Sequence, residues 1–125
     1  MIARNSYFLA VFLIAAGCSR SHAATDAGLD AKLRVVSLSP STTETMFAIH
    51  AGDELVGRSR YCDYPPEARA LPEVGGYTDP NFEAILALHP DLVIGARGPL
   101  GPPLEERLKS HGASTYFPET ETLDE

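Results

Sequence analysis

The chain has 125 residues, a formal net charge of −7 and no run of Lys or Arg. That length normally makes one domain, and the missing basic face argues against nucleic acid as a partner. Once the leader described below is set aside, about ninety residues remain, enough to bury only about 60–65% of their unfolded surface.

The first residues carry a targeting pattern. Arg4 supplies one positive charge, and Tyr7 to Ala16 is almost wholly apolar. This is the charged region and apolar run of a secretory signal. A transmembrane helix needs about 20 apolar residues, roughly twice this run. Two processing sites remain open. Ala15-Ala-Gly-Cys18 resembles a bacterial lipobox, in which Cys18 is lipidated and becomes the new N-terminus, although Ala15 stands where that pattern carries a larger aliphatic residue. Ser21-His-Ala23 offers the small-x-small pattern for cleavage after Ala23. Residues 1–23 are therefore read as a signal peptide or lipoprotein signal, and 24–32 as a small, polar tether. With Cys18 lipidated or removed, Cys62 is left as a free thiol or with a partner elsewhere. No Cys/His spacing suits a metal.

The folded part begins with a short β-branched run, Leu33 to Leu38, which suits a buried strand. Pro40 ends it. Ser41-Thr-Thr-Glu44 has capping-box spacing, with Ser41 as N-cap, Glu44 reaching back, and a helix to about His50 stopped by Gly52. Glu54 to Gly57 reads as a second strand, Pro65 to Ala70 as a helical turn and Leu71 to Gly76 as loop. Asp79-Pro80 predicts a capped helix start, and Phe82, Ile85, Leu86 and Leu88 follow at near-helical spacing. Pro90 ends that helix ahead of a strand over Leu92–Ile94. A Gly/Pro loop runs to Pro103, with a helix over Leu104–Ser110 and a last strand over Ser114–Phe117. Thr120 to Glu125 opens a further helix. Strands alternating with helices predict an α/β fold, a Rossmann-like parallel sheet with flanking helices and right-handed crossovers.

Two clusters carry candidate chemistry. Ser37-Leu-Ser-Pro-Ser-Thr-Thr43 places hydroxyls where a strand end meets a helix N-terminus, the edge at which open α/β sheets bind ligands. Capping alone and ligand binding both explain them. Tyr61 and Tyr64 flank Cys62-Asp63, and Tyr77 follows two glycines. Aromatic rings on loops above a rigid sheet make a partly apolar platform suited to a large planar ligand. His50, His89 and His111 each fall at the end of a predicted helix, where they interact with the helix dipole and terminal carbonyls rather than share a metal. His22 lies in the targeting region. No Gly-x-Ser-x-Gly elbow, Gly-rich phosphate loop or converging acid/base set is present, so a binding protein is expected rather than an enzyme.

Three motifs in order, Val35 to Glu44, Tyr61-Cys-Asp-Tyr-Pro-Pro66, and Asn81-Phe-Glu83 through Pro90-Asp-Leu-Val-Ile94, resemble the N-terminal lobe of the periplasmic binding proteins that deliver cobalamin, haem and ferric siderophores to ABC importers. The resemblance covers about residues 34–125 and is strongest to the cobalamin-binding branch. It implies one lobe, residues 33–125, of a two-lobe helical-backbone protein that holds its ligand between the lobes and delivers it to an inner-membrane permease. It implies ligand contacts from Ser39, Pro40, Tyr61 and Tyr77, with Tyr77 where the cobalamin binder has a tryptophan. Glu83 matches a glutamate that docks on a permease arginine, and it also suits a helix's first turn. The expected protein is periplasmic or envelope-bound, with Cys18 as lipid anchor in one of the two processed forms and no resident cofactor. The linking helix and second lobe are not in this chain, so a truncated lobe is expected, and a partner for Cys62 would lie in that second half.

Overall fold

The computed structural model describes residues 31–99 and 101–118. The expectations for Cys18, the two cleavage sites, most of the tether, His22 and the Thr120–Glu125 helix fall outside those residues.

Four short strands form one parallel sheet: β1 Val35–Ser37, β2 Leu55–Arg58, β3 Leu92–Ile94 and β4 Ser114–Tyr116. Their order is β2-β1-β3-β4. Among the described residues three α-helices, α1 Pro40–Ala48, α2 Phe82–Ala87 and α3 Gly101–Ser110, and two 3-10 turns, Gly52–Glu54 and Pro66–Ala70, join them. Val36 pairs with Val93, which pairs with Thr115, so the register runs unbroken from β1 through β3 to β4, while the β1–β2 pairing shifts by one residue between Val35 and Val36. The chain steps from β1 out to β2, then returns past β1 to β3. This reversal opens a crevice outside the carboxyl ends of β1 and β3, where doubly wound sheets take their ligands.

Side-chain alternation divides the core between the two faces of the sheet. Val36 and Val93 point to one face and pack with Phe82 and Ile85 of α2 and Leu108 of α3. Val35 and Ile94 point to the other, against Leu55 and the partly buried Met46 and Phe47 of α1. The two central strands, β1 and β3, are covered on both faces, which is why each is built on a short apolar run, Val35-Val36 and Leu92–Ile94. Among the described residues no helix is long and apolar enough to cross a membrane.

The helix ends differ from the predicted ones in instructive ways. Ser39, not Ser41, is the N-cap of α1, with extended backbone (φ −138°, ψ 151°), and Pro40 occupies the first turn. Proline suits that position because its absent N–H would have had no intrahelical partner. Asn81, not Asp79, caps α2, accepting from Ala84 N at 3.0 Å. Asp79 and Pro80 are otherwise engaged: Pro80 bridges Gly75 in antiparallel fashion, and the Asp79 carboxylate takes Arg60 at 2.6 Å. Helix α3 starts at Gly101, three residues before the predicted Leu104, because Pro102 and Pro103 are tolerated where N–H groups go unbonded.

At its C-terminus α1 closes in a Schellman arrangement. His50 N donates to Phe47 O at 3.0 Å and Ala51 N to Met46 O at 2.8 Å. The left-handed residue there is His50 (φ 62°) rather than the expected Gly52, and His89 (φ 47°) plays the same part after α2. Arg34 closes α2 from outside, its guanidinium donating to Leu88 O at 2.7 Å. The three histidines thus sit at helix ends as predicted, His111 with Nδ1 2.9 Å from Arg107 O.

Candidate functional site

The hydroxyl-rich segment after β1 turns inward. Ser37 and Thr43 are fully buried, with their hydroxyls 2.8 Å apart. Ser37 Oγ also lies 2.6 Å from Thr42 Oγ1. Ser39, only 4% exposed, is the hub of the segment. Its Oγ accepts from Ala96 N at 3.2 Å, lies 2.9 Å from Thr42 Oγ1 and accepts a long bond from Thr42 N at 3.5 Å. The bond to Ala96 joins the end of β1 to the end of β3 across the crevice. Pro40 is exposed beside it.

The aromatic loop is exposed on either side of a single buried residue. Cys62 is fully buried, while Arg60, Tyr61, Asp63 and Tyr64 face out. A β-turn over Ser59–Cys62 anchors it, with Cys62 N bonded to Ser59 O at 3.0 Å and Tyr61 N to Ser59 Oγ at 3.2 Å. The buried Cys62 carries a free thiol. Tyr61, 56% exposed, lies against the buried Gly76, where an added Cβ would come within 3.1 Å of the ring. Arg60 sits 5.8 Å over the same ring and is paired to Asp79, so the ring is braced by a cation as well as by backbone.

Tyr77 directly follows the Gly76 on which Tyr61 rests. Its hydroxyl donates to Arg97 O at 2.7 Å and its ring covers Gly98, where a Cβ would be 3.2 Å away. Below it is a shallow dimple lined by Leu38, Ala96, Gly98, Leu104 and Phe117. Tyr77 therefore roofs the point where β1 and β3 end. Tyr64 does not join this group. It turns toward α1 and, with Glu44, Phe47, Ala48, Pro65 and Glu67, lines a separate open groove of about 480 Å³.

Of the residues singled out from the sequence, Ser39, Pro40 and Tyr77 converge on the β1/β3 crevice, and Tyr61 stands on the adjoining loop. Glu83 lies elsewhere. It is in the first turn of α2, its side chain 80% exposed, and its carboxylate is 3.6 Å from Arg107 of α3. That guanidinium stacks over Phe82 at 3.7 Å. The Arg107 pairing, the Arg60 brace and the buried Arg58 described below had no signature in the sequence, since each arginine meets its partners only through the fold. Among the described residues no group of three His, Cys, Asp or Glu is placed to hold a metal.

A parallel sheet wound in the order 2-1-3-4, with aromatic loops over its reversal point, defines a Rossmann-like lobe of the ligand-binding kind. More particularly, the chain belongs to the periplasmic binding protein family, whose model matches residues 35–125. It is 41% identical over 97 residues to the vitamin B12-binding protein of Photorhabdus laumondii, covering 76% of this chain and 34% of that one. It is 44% identical over 94 residues to the vitamin B12-binding protein of Vibrio cholerae, covering 74% and 33%. The solved vitamin B12-binding protein BtuF of Vibrio cholerae superposes with a TM-score of 0.61 at 43% identity, over 71% of this chain and 35% of that one. A periplasmic haem-binding protein from Pseudomonas aeruginosa gives 0.63 at 32% identity, over 69% and 31%. The chain thus spans about a third of the length of the curated relatives it matches.

Proposed function

We propose that this lobe is the N-terminal half of the substrate-binding component of an ABC importer for a cobalamin-type ligand. The observation that carries this reading is the pair of exposed rings, Tyr61 and Tyr77, held on braced loops at the β1/β3 crevice. A partly apolar aromatic surface with a cation, Arg60, at its edge suits a broad ring system bearing peripheral acceptor groups. Pro40 offers apolar contact at the mouth. Ser39, with its hydroxyl already engaged, acts by fixing the backbone around the ligand. The similarity to vitamin B12-binding proteins supports a corrinoid. A haem or ferric-siderophore ligand is the second reading, favoured by the haem-binding structures among the similar folds. In either case the protein binds and delivers without a catalytic step or resident cofactor. It works in the periplasm, captures its ligand between this lobe and a second one, and docks on an inner-membrane permease through Glu83. Lipidation at Cys18 would tether it to the membrane.

The test is a titration of a two-lobe protein carrying this lobe with cyanocobalamin, haemin and a ferric siderophore. Cyanocobalamin should bind most tightly. Tyr61→Ala should weaken it by about 0.5–1.5 kcal/mol, the range for an aromatic contact, or about 2- to 13-fold. Preference for haemin would replace the first reading with the second. An unchanged affinity in Tyr61→Ala would remove that ring from the site.

A further inference from the structure

The loop that presents Tyr61 begins at a buried cation. Arg58 ends β2 and is only 5% exposed. Burying a guanidinium is costly unless its charge is paired and its N–H groups are bonded. The partners it finds are spread along the loop. One terminal nitrogen donates to Ser59 O at 3.1 Å and lies 4.0 Å from Asp63 Oδ1. The other donates to Glu73 Oε1 at 3.1 Å and to Arg69 O at 3.5 Å. Arg69 in turn donates from Nε to Asp63 O at 3.1 Å, a second stitch across the same loop. The Arg58 backbone adds two more ties, its N to Pro72 O and its O from Val74 N, both at 2.9 Å. One side chain thus reaches the start, middle and end of the segment between Ser59 and Glu73. Only a planar fork can do so, because an ammonium would offer a single nitrogen. The fit is incomplete, since Arg58 Nε is buried without a partner.

We propose that Arg58 is a positioning residue whose buried guanidinium sets the conformation of the Ser59–Glu73 loop and thereby the placement of Tyr61. Its consequence for ligand binding rests on the proposed role of Tyr61, but the clamp itself does not. Cys62 reports on it directly. Its thiol is fully buried beside Tyr61, so it reacts with iodoacetamide only when the loop opens.

Alkylation is followed on the Cys62 peptide by mass spectrometry, well below the melting temperature. Arg58→Met removes the charge and the fork while keeping an apolar stem. It should speed Cys62 labelling about tenfold or more, since hydrogen bonds to charged groups are the strong ones. Arg58→Lys keeps the charge without the fork and should also label fast. Val93→Ala weakens the core away from the clamp and should label at close to the wild-type rate. Wild-type protection in the Met variant, full rescue by Lys, or equal acceleration in Val93→Ala would each overturn the proposal. If the Met variant fails to fold, the Lys variant against Val93→Ala decides alone. No ligand enters the measurement, so failure of the cobalamin reading would leave its result intact.

Discussion

The hydroxyls after β1 offer a direct test, because sequence and structure assign the N-cap of α1 to different serines. Removing Ser39 Oγ in Ser39→Ala takes away the cap and leaves Ala96 N, now bonded at 3.2 Å, without its acceptor. Loss of an N-cap hydroxyl costs about 0.5–2 kcal/mol. The cap bond here is long, at 3.5 Å, which places it at the low end. An orphaned, part-buried backbone N–H adds about 1–3 kcal/mol. Thr42 recovers a little, since its hydroxyl already donates to Ser39 O at 3.0 Å. The net is about 2 kcal/mol, or a fall of about 10 °C in melting temperature for a domain of this size. Ser41 is exposed, and its hydroxyl meets only Ser39 Oγ, at 3.2 Å. Ser41→Ala should therefore change stability by less than about 0.5 kcal/mol. Thermal melts of the two variants by circular dichroism decide the matter. A larger loss in Ser41→Ala than in Ser39→Ala would refute the assignment and the crevice-joining role of Ser39 with it.

Two further outcomes bear on docking and export. In a two-lobe protein, Glu83→Arg should abolish or sharply reduce uptake, because a like charge set against a basic permease surface costs several kcal/mol. It should lower stability by no more than about 1 kcal/mol, the upper range for an exposed pair such as that with Arg107. Normal uptake would end the docking reading and leave Glu83 as a helix-start acid. Expressed from Met1 in a bacterium, the chain should incorporate labelled palmitate if residues 1–17 act as a lipoprotein signal, and Cys18→Ala should lose that label. A soluble product beginning at Ala24 would reject the lipid anchor while keeping export.

Much of the architecture was legible because its signals are local. The apolar runs at Val35-Val36 and Leu92–Ile94 are short and unbroken, with Pro40 or Gly95 following, so they read as strands of a parallel sheet buried on both faces. The prolines at 40 and 90 marked where elements change, and the tyrosines at 61 and 77 stood out as rings in loops. What a sequence could not specify was competition between local options. Ser39 and Ser41 are both good caps, and Ser39 prevails because it also satisfies Ala96, 57 residues away. Asp79-Pro80 is a good helix start, but Arg60 and the bridge to Gly75 hold it in the loop. The separation of Tyr64 from the other rings, the burial of Cys62, the Arg107 partner of Glu83 and the Arg58 clamp follow from contacts between segments distant in the chain. Sequence alone determined which elements form, because hydrophobic period and turn chemistry act over a few residues. Only the tertiary structure decided which polar groups meet, because a buried donor or charge must find its partner wherever the fold brings one.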